Sequence, residues 1–349
     1  MTTNSDLQTF GTVSRWLRGC ELKPADSIRK YCGASPPEDI ARALVKKFCA
    51  GVWLEDADDF FSLRRRPVLY LANHQVAIES LLFVLTVSPL IGDVAINSVA
   101  KAEHAHSWLG QLLTRIYGYP GNRNAECVLY VPLNDGRAML DLIGGITAAI
   151  EAKCCGLLVH VAGSRVLTCR DPVRFMSSAF LDLAIARHYP VVPLKFRGGL
   201  PVEPLESFIE FPVGYGTQEY LIGHSITPEE LEEVPSADRR AFVLDRINGL
   251  GGLPDQEQPN SPDPSFKAEV RALIQRFGIR EPTFAVILAA LQRLPDPHDE
   301  FAALLHGVAS GRLICPSTPE GQWLAGVARW LTESRLPVTI HGSLAASRG

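Results

Sequence analysis

Short apolar runs alternate with longer amphipathic ones through the middle of the chain. Val68–Ala72, Val94–Ala100, Gly156–Ala162 and Val191–Phe196 are brief, rich in Val, Leu and Ile, and nearly unbroken. Such runs predict strands buried on both faces. Ser80–Ser88, Trp108–Tyr117, Ala138–Lys153 and Val173–His188 are the longer segments between them and predict helices. The alternation predicts an α/β fold with a mixed, largely parallel sheet flanked by helices.

Both ends of the chain read as helical additions to this core. Phe10, Val13, Trp16 and Leu17 recur on one helical face, and Ile40, Leu44, Phe48 and Val52 form an i+4 series after Pro36-Pro37. Glu38 and Asp39 suit the first turn of that second helix. Beyond the core, Gly249–Pro264 is rich in Gly, Pro, Asp and Asn. Helical patterns follow at 266–277, 282–294, 298–309 and 319–334. The reading divides the chain into an N-terminal helical segment (1–60), an α/β core (61–250), a linker or long loop (251–265) and a C-terminal helical region (266–349).

Composition narrows the possible functions. The 349 residues are 46% hydrophobic and 21% charged with a formal net charge of −4, which argues against nucleic acid as the main partner. The eight cysteines lack metal-ligand spacing, and the first residues lack a basic region followed by an apolar core. These features predict a cytoplasmic protein, with peripheral contact to the inner face of the membrane left open. The most apolar stretch, Ser80–Ala100, is broken by Pro89, Gly92 and Asp93 and is not expected to span a bilayer.

In parallel sheets ligands gather beyond the carboxyl ends of the strands. Asn73-His74, Lys101 and Gly163-Ser164-Arg165 each follow a predicted strand. His74 precedes Glu79 by five positions, and an imidazole held by a carboxylate is suited to taking a proton from a hydroxyl. His160 lies inside a predicted strand and reads as a core residue or a pocket residue. His104-Ala-His106 lacks a third ligand nearby, so no metal site is expected. Ser164 lacks the Gly-x-Ser-x-Gly turn of a serine hydrolase.

These residues, in this order, resemble the blocks of the phospholipid/glycerol acyltransferase family, which includes the lysophosphatidic acid acyltransferases. Asn73-His74-x4-Glu79 is similar to the family's Asn-His-x4-Asp block, and Lys101 matches its intermediate lysine. Gly156–Arg165 is similar to the block ending Pro-Glu-Gly-Thr-Arg, and Val191-Val192-Pro193-Leu194 to the final Val-Pro strand. The resemblance covers roughly residues 60 to 250. Three departures stand out. Glu79 replaces the aspartate, Val161-Ala162 replace Pro-Glu, and the second block is either Gly118–Arg123 or a register that places Leu133 where the arginine belongs.

The resemblance implies an acyltransferase that moves an acyl chain from coenzyme A or acyl carrier protein to a hydroxyl or amine, with no other cofactor. His74 would be the general base, oriented by Glu79. Asn73, Lys101, Arg123, Gly163, Ser164 and Arg165 would bind substrate, the cations holding an anionic acceptor group. The departures make a lipid or alcohol acceptor other than glycerol phosphate an expected variant. The alternatives are a lipid- or carrier-binding module with weak catalysis and a thioester hydrolase.

Overall fold

The computed structural model describes residues 36–341, except 89, 92–95, 118, 120–127, most of 132–155, 280–281 and 332–337. The face through Phe10–Leu17, most of the helix expected at 138–153, and Arg123 therefore lie outside the described residues. Those described form an α/β fold around one seven-stranded sheet. In chain order its strands are β1 (Cys49–Leu54), β2 (Leu69–Ala72), β3 (Ile96–Lys101), β4 (Val128–Val131), β5 (Gly156–His160), β6 (Val191–Arg197) and β7 (Gln218–Ile222). They lie side by side as β1-β7-β6-β2-β5-β3-β4. Every neighbouring pair is parallel except β6 and β7.

The apolar runs are unbroken because both faces of the sheet are covered. Tyr70, Ala72, Leu158, Val192, Leu194 and Phe196 belong to one cluster, and Leu69, Leu71, Leu157, Val159 and Val191 to the other, the period-two division of a strand. The first cluster also takes in helices α1 (Pro36–Phe48) and α3 (Glu79–Val87). All but one residue of α3 is buried, so its composition is apolar on every side. The second cluster contains Leu181, Leu183 and Ala184 of α5 (Ala179–Arg187) and Val243 and Ile247 of α7 (Arg239–Gly249). Shorter or peripheral helices are α2 (Ala57–Ser62), α4 (Trp108–Tyr117) and α6 (Pro228–Glu233).

The N-terminal segment is not helical up to residue 60. Helix α1 ends at Phe48 and the chain enters β1, where Val52 pairs with Tyr220 of β7. Val52 continues the i+4 apolar series only by coincidence of spacing. The helix expected from Val173 begins at Ala179, and Val173–Ser177 runs irregularly before it. The C-terminal region contains α8 (Pro264–Phe277), α9 (Pro282–Gln292), α10 (Asp299–Ser310) and α11 (Pro319–Leu331), as the apolar periodicity anticipates. It also carries a short parallel pair, β8 (Leu313–Pro316) with β9 (Val338–His341). Its buried residues Phe284, Leu288, Phe301 and Leu324 belong to the same cluster as α1 and α3. No helix among the described residues is long and apolar enough to cross a membrane.

The Gly/Pro-rich stretch after α7 sends one acid into the core. Glu257 is buried, accepts hydrogen bonds from Gln75 Nε2 at 3.0 Å and Gly198 N at 3.4 Å, and lies 3.4 Å from Lys195 Nζ of β6. Burial pushes the Glu257 carboxyl up and the Lys195 ammonium down, while the charge of each opposes the shift of the other. Removing one partner leaves the other as an uncompensated buried charge. Lys195→Met is therefore expected to destabilise the fold by about 3–5 kcal/mol, with Lys195→Met/Glu257→Gln recovering more than half of the loss. Urea unfolding checks this, and a single variant within about 1 kcal/mol of wild type would contradict it.

Candidate active site

The carboxyl ends of β2, β5 and β3 lie next to one another, so the residues that follow them share one edge of the sheet. Ala72 pairs with His160 across β2 and β5, and Ser98 of β3 pairs with Leu158 of β5. Asn73 fixes the exit from β2. Its side-chain amide donates to the Phe196 carbonyl at 2.8 Å and its side-chain oxygen accepts from Phe196 N at 2.7 Å. This double bond to β6 turns the chain so that His74 leaves the sheet toward α3.

Glu79, the first residue of α3, is fully buried. Four donors meet its two oxygens: His74 Nδ1 at 2.7 Å, Gln75 N at 3.0 Å, Val76 N at 3.1 Å and Gln218 Nε2 at 2.8 Å. Gln75 and Val76 are in the tight loop between β2 and α3, and Gln218 opens β7. The glutamate's extra methylene does not separate it from the histidine. Because the carboxylate accepts from Nδ1, His74 carries its proton there and keeps a lone pair on Nε2. That is the form of imidazole that removes a proton from a bound hydroxyl.

His160, at the end of β5, stacks on His74 with ring centroids 3.8 Å apart and 20° between planes. Its Nδ1 meets the Asn73 carbonyl at 2.7 Å and its Nε2 meets Ser80 Oγ at 2.6 Å. A carbonyl only accepts, so Nδ1 bears the proton and the Ser80 hydroxyl donates to Nε2. Ligand-type atoms of His74, Glu79 and His160 lie within 4.8 Å of one another. Each of the three side chains is hydrogen-bonded within the protein, and both Nδ1 atoms face acceptors as N–H groups. The trio presents a hydrogen-bonded network rather than lone pairs converging on a cation.

A cavity of about 390 Å³ opens above this network. His74, Ser80 and His160 line it, and Val99, Val159 and Phe180 contribute apolar wall. Gly163 and Arg165 also reach it, with Gly163 in the left-handed region at φ +69 where a β-carbon would be strained. Ser164 is exposed and is not among the lining residues. The Arg165 guanidinium donates to the Ile209 carbonyl at 2.9 Å, lies 3.3 Å from Glu210 and stands over the Phe208 ring. Lys101 ends β3 at the same sheet edge, and its side chain lies outside the described residues.

Sequence reading left Ser80 and Gln218 out of the site and gave His160 a core role as its first reading. The one available signal was a histidine closing an otherwise apolar strand. No protein-family model matches the chain, and no curated protein matches it.

Burial sets the proton affinities of the trio. It pushes His74 and His160 down from 6.5 to about 3, helped at His74 by the Arg165 charge and at His160 by His74. It pushes Glu79 up to about 7, against the pull of His160 and the hydrogen-bond donors. A raised carboxyl pKa means that the folded chain holds this proton more tightly than the unfolded chain, which favours the fold as pH falls. The lowered histidines act in reverse, since only the unfolded chain charges them below pH 6.5. Two imidazole protons against one carboxyl proton leave the unfolded chain about one proton ahead near pH 5.5, a loss of about 1.4 kcal/mol per pH unit. Glu79→Gln removes the compensating proton, so its stability is expected to fall about twice as steeply between pH 6.5 and 5. Equal slopes for the two proteins in urea titrations would contradict this assignment.

Proposed function

We propose that the protein is an acyltransferase in which His74 takes the proton from an acceptor hydroxyl as that oxygen attacks the carbonyl of an acyl group supplied by a thioester. One observation carries the reading: an imidazole whose Nδ1 is held at 2.7 Å by a fully buried carboxylate lines an apolar cavity. A cavity of about 390 Å³ is of the size and character that take a small apolar ligand or an acyl chain. The ordered blocks around His74, Lys101, Arg165 and Pro193 point to the same chemistry. Coenzyme A or acyl carrier protein would supply the thioester, and no further cofactor enters.

The acceptor in this reading is an alcohol or a lipid hydroxyl rather than glycerol phosphate. Arg165, the described guanidinium at the cavity, is already paired with Glu210, which lessens its pull on a phosphate. Phe175 lines the cavity yet is 65% exposed, and Phe208 nearby on Arg165 is 48% exposed. Apolar surface there suits a lipid acceptor or the surface of a membrane. A binding module without catalysis would have no use for an acid buried against the histidine. Water in place of the acceptor would make the same site a thioester hydrolase.

Incubation with acyl thioesters and a panel of alcohols, read by mass spectrometry, tests the proposal. Wild type is expected to form ester in excess over free acid, and His74→Ala to lose transfer by about 10²–10⁴-fold. Undiminished transfer by His74→Ala would defeat the mechanism, and free acid alone would make the protein a hydrolase.

A further inference from the structure

Ser80 is the feature that general-base catalysis by His74 leaves unexplained. Its hydroxyl sits 2.6 Å from His160 Nε2 and lines the same cavity as His74. The Asn73 carbonyl, 2.7 Å from His160 Nδ1, fixes the imidazole tautomer, so the nitrogen facing Ser80 carries a lone pair. A serine donating to an imidazole that is itself oriented by a third group is the arrangement that activates an oxygen nucleophile. Here the orienting group is a backbone carbonyl, with Glu79 Oε1 3.7 Å from the same ring nitrogen. Ser80 is also the second residue of the nine-residue α3, near the positive end of its dipole, which favours negative charge developing on an attacked carbonyl.

We propose that Ser80 is a catalytic nucleophile that carries the acyl group between donor and acceptor, an inference that rests on the acyl-transfer reading. In the first half-reaction Ser80 Oγ bonds to the thioester carbonyl carbon and its proton passes to His160 Nε2. The carbon–sulfur bond then breaks, and the thiolate leaves with that proton as a free thiol. In the second half-reaction the acceptor hydroxyl gives its proton to His74 Nε2 and attacks the serine ester. The bond to Ser80 Oγ breaks, and the serine oxygen takes up the proton that His74 Nε2 received from the acceptor, which returns both imidazoles to their starting form. The sum is thioester plus alcohol going to ester plus thiol, with no redox change. Two histidines stacked at 3.8 Å thereby have separate tasks, one for each half-reaction.

The test uses butyryl and decanoyl thioesters of N-acetylcysteamine with the full chain. Without acceptor, wild type is expected to exchange labelled N-acetylcysteamine into the thioester faster than the protein-free background, and Ser80→Ala is expected to show the background rate alone. Rapid quench and peptide mapping should find one acyl group on the peptide containing Ser80. It should accumulate in His74→Ala, be absent in Ser80→Ala, and return in Ser80→Cys as an enzyme thioester. Ser80→Ala should lose transfer to 1-octanol, glycerol or 1-acylglycerol 3-phosphate by at least about 100-fold. Transfer by wild type with neither exchange nor adduct would overturn the serine's role and leave the acyl-transfer reading standing. Absence of exchange, adduct and transfer together would overturn both.

Discussion

The Glu79 carboxylate is fully buried at the start of α3, and an ion so placed costs several kcal/mol unless donors surround it. The donors come from two places in the chain: the loop between β2 and α3, which supplies His74, Gln75 and Val76, and the start of β7, 139 positions away. Meeting that requirement shapes the neighbourhood. Gln75 and Val76 must turn their N–H groups inward, which sets the loop, and Gln218 must sit at the start of β7. His74 must then lie with Nδ1 toward the acid, which leaves Nε2 with its lone pair. The orientation of the His74 ring is thus a consequence of satisfying a buried charge.

The sheet supplies the second constraint. Parallel register between β2 and β5 sets His160 opposite Ala72, and one step further along β2 the Asn73 carbonyl locks its tautomer. Asn73, which the family resemblance placed among the substrate contacts, spends both ends of its amide on Phe196. Arg165, expected to hold an acceptor anion, has an acid and a carbonyl as partners. The residues around the reacting groups are ordered mainly by the protein's own hydrogen bonds, while the space above them is apolar. For the proposed acyl transfer, that division suits an acyl chain and a neutral hydroxyl better than a charged acceptor.

Much of the fold was legible in the residues. Strands β2, β3, β5 and β6 were visible because both faces of each are covered, which writes an uninterrupted apolar run. Strands β1 and β7 were not, nor was β4 at the end of the sheet. Gly51 interrupts the first, and Val52 extends a helical series from Ile40 that ends in fact at Phe48. The second opens on Gln218 and Glu219, a polar start explained only by the contact of Gln218 with Glu79, 139 positions away. His74 and Glu79 could be paired from local spacing alone. Ser80 and His160, 80 positions apart, meet through strand register that composition does not encode. Glu257 looked like linker because its partner Lys195 is 62 positions upstream in β6.

The proposed chemistry of His74 and Ser80 requires both cavity histidines to be neutral at physiological pH, with the proton on Nδ1 and the lone pair on Nε2. Long-range proton–nitrogen NMR correlations on protein labelled with ¹⁵N-histidine read this directly. At neutral pH two ring systems are expected to show Nδ1–H and an unprotonated Nε2, neither ring gaining a second proton down to about pH 5.5, with Glu79→Gln disturbing the His74 signals more than those of His160. Titration of these rings near pH 6.5, rapid averaging between tautomers, or a proton on Nε2 of His74 would contradict it.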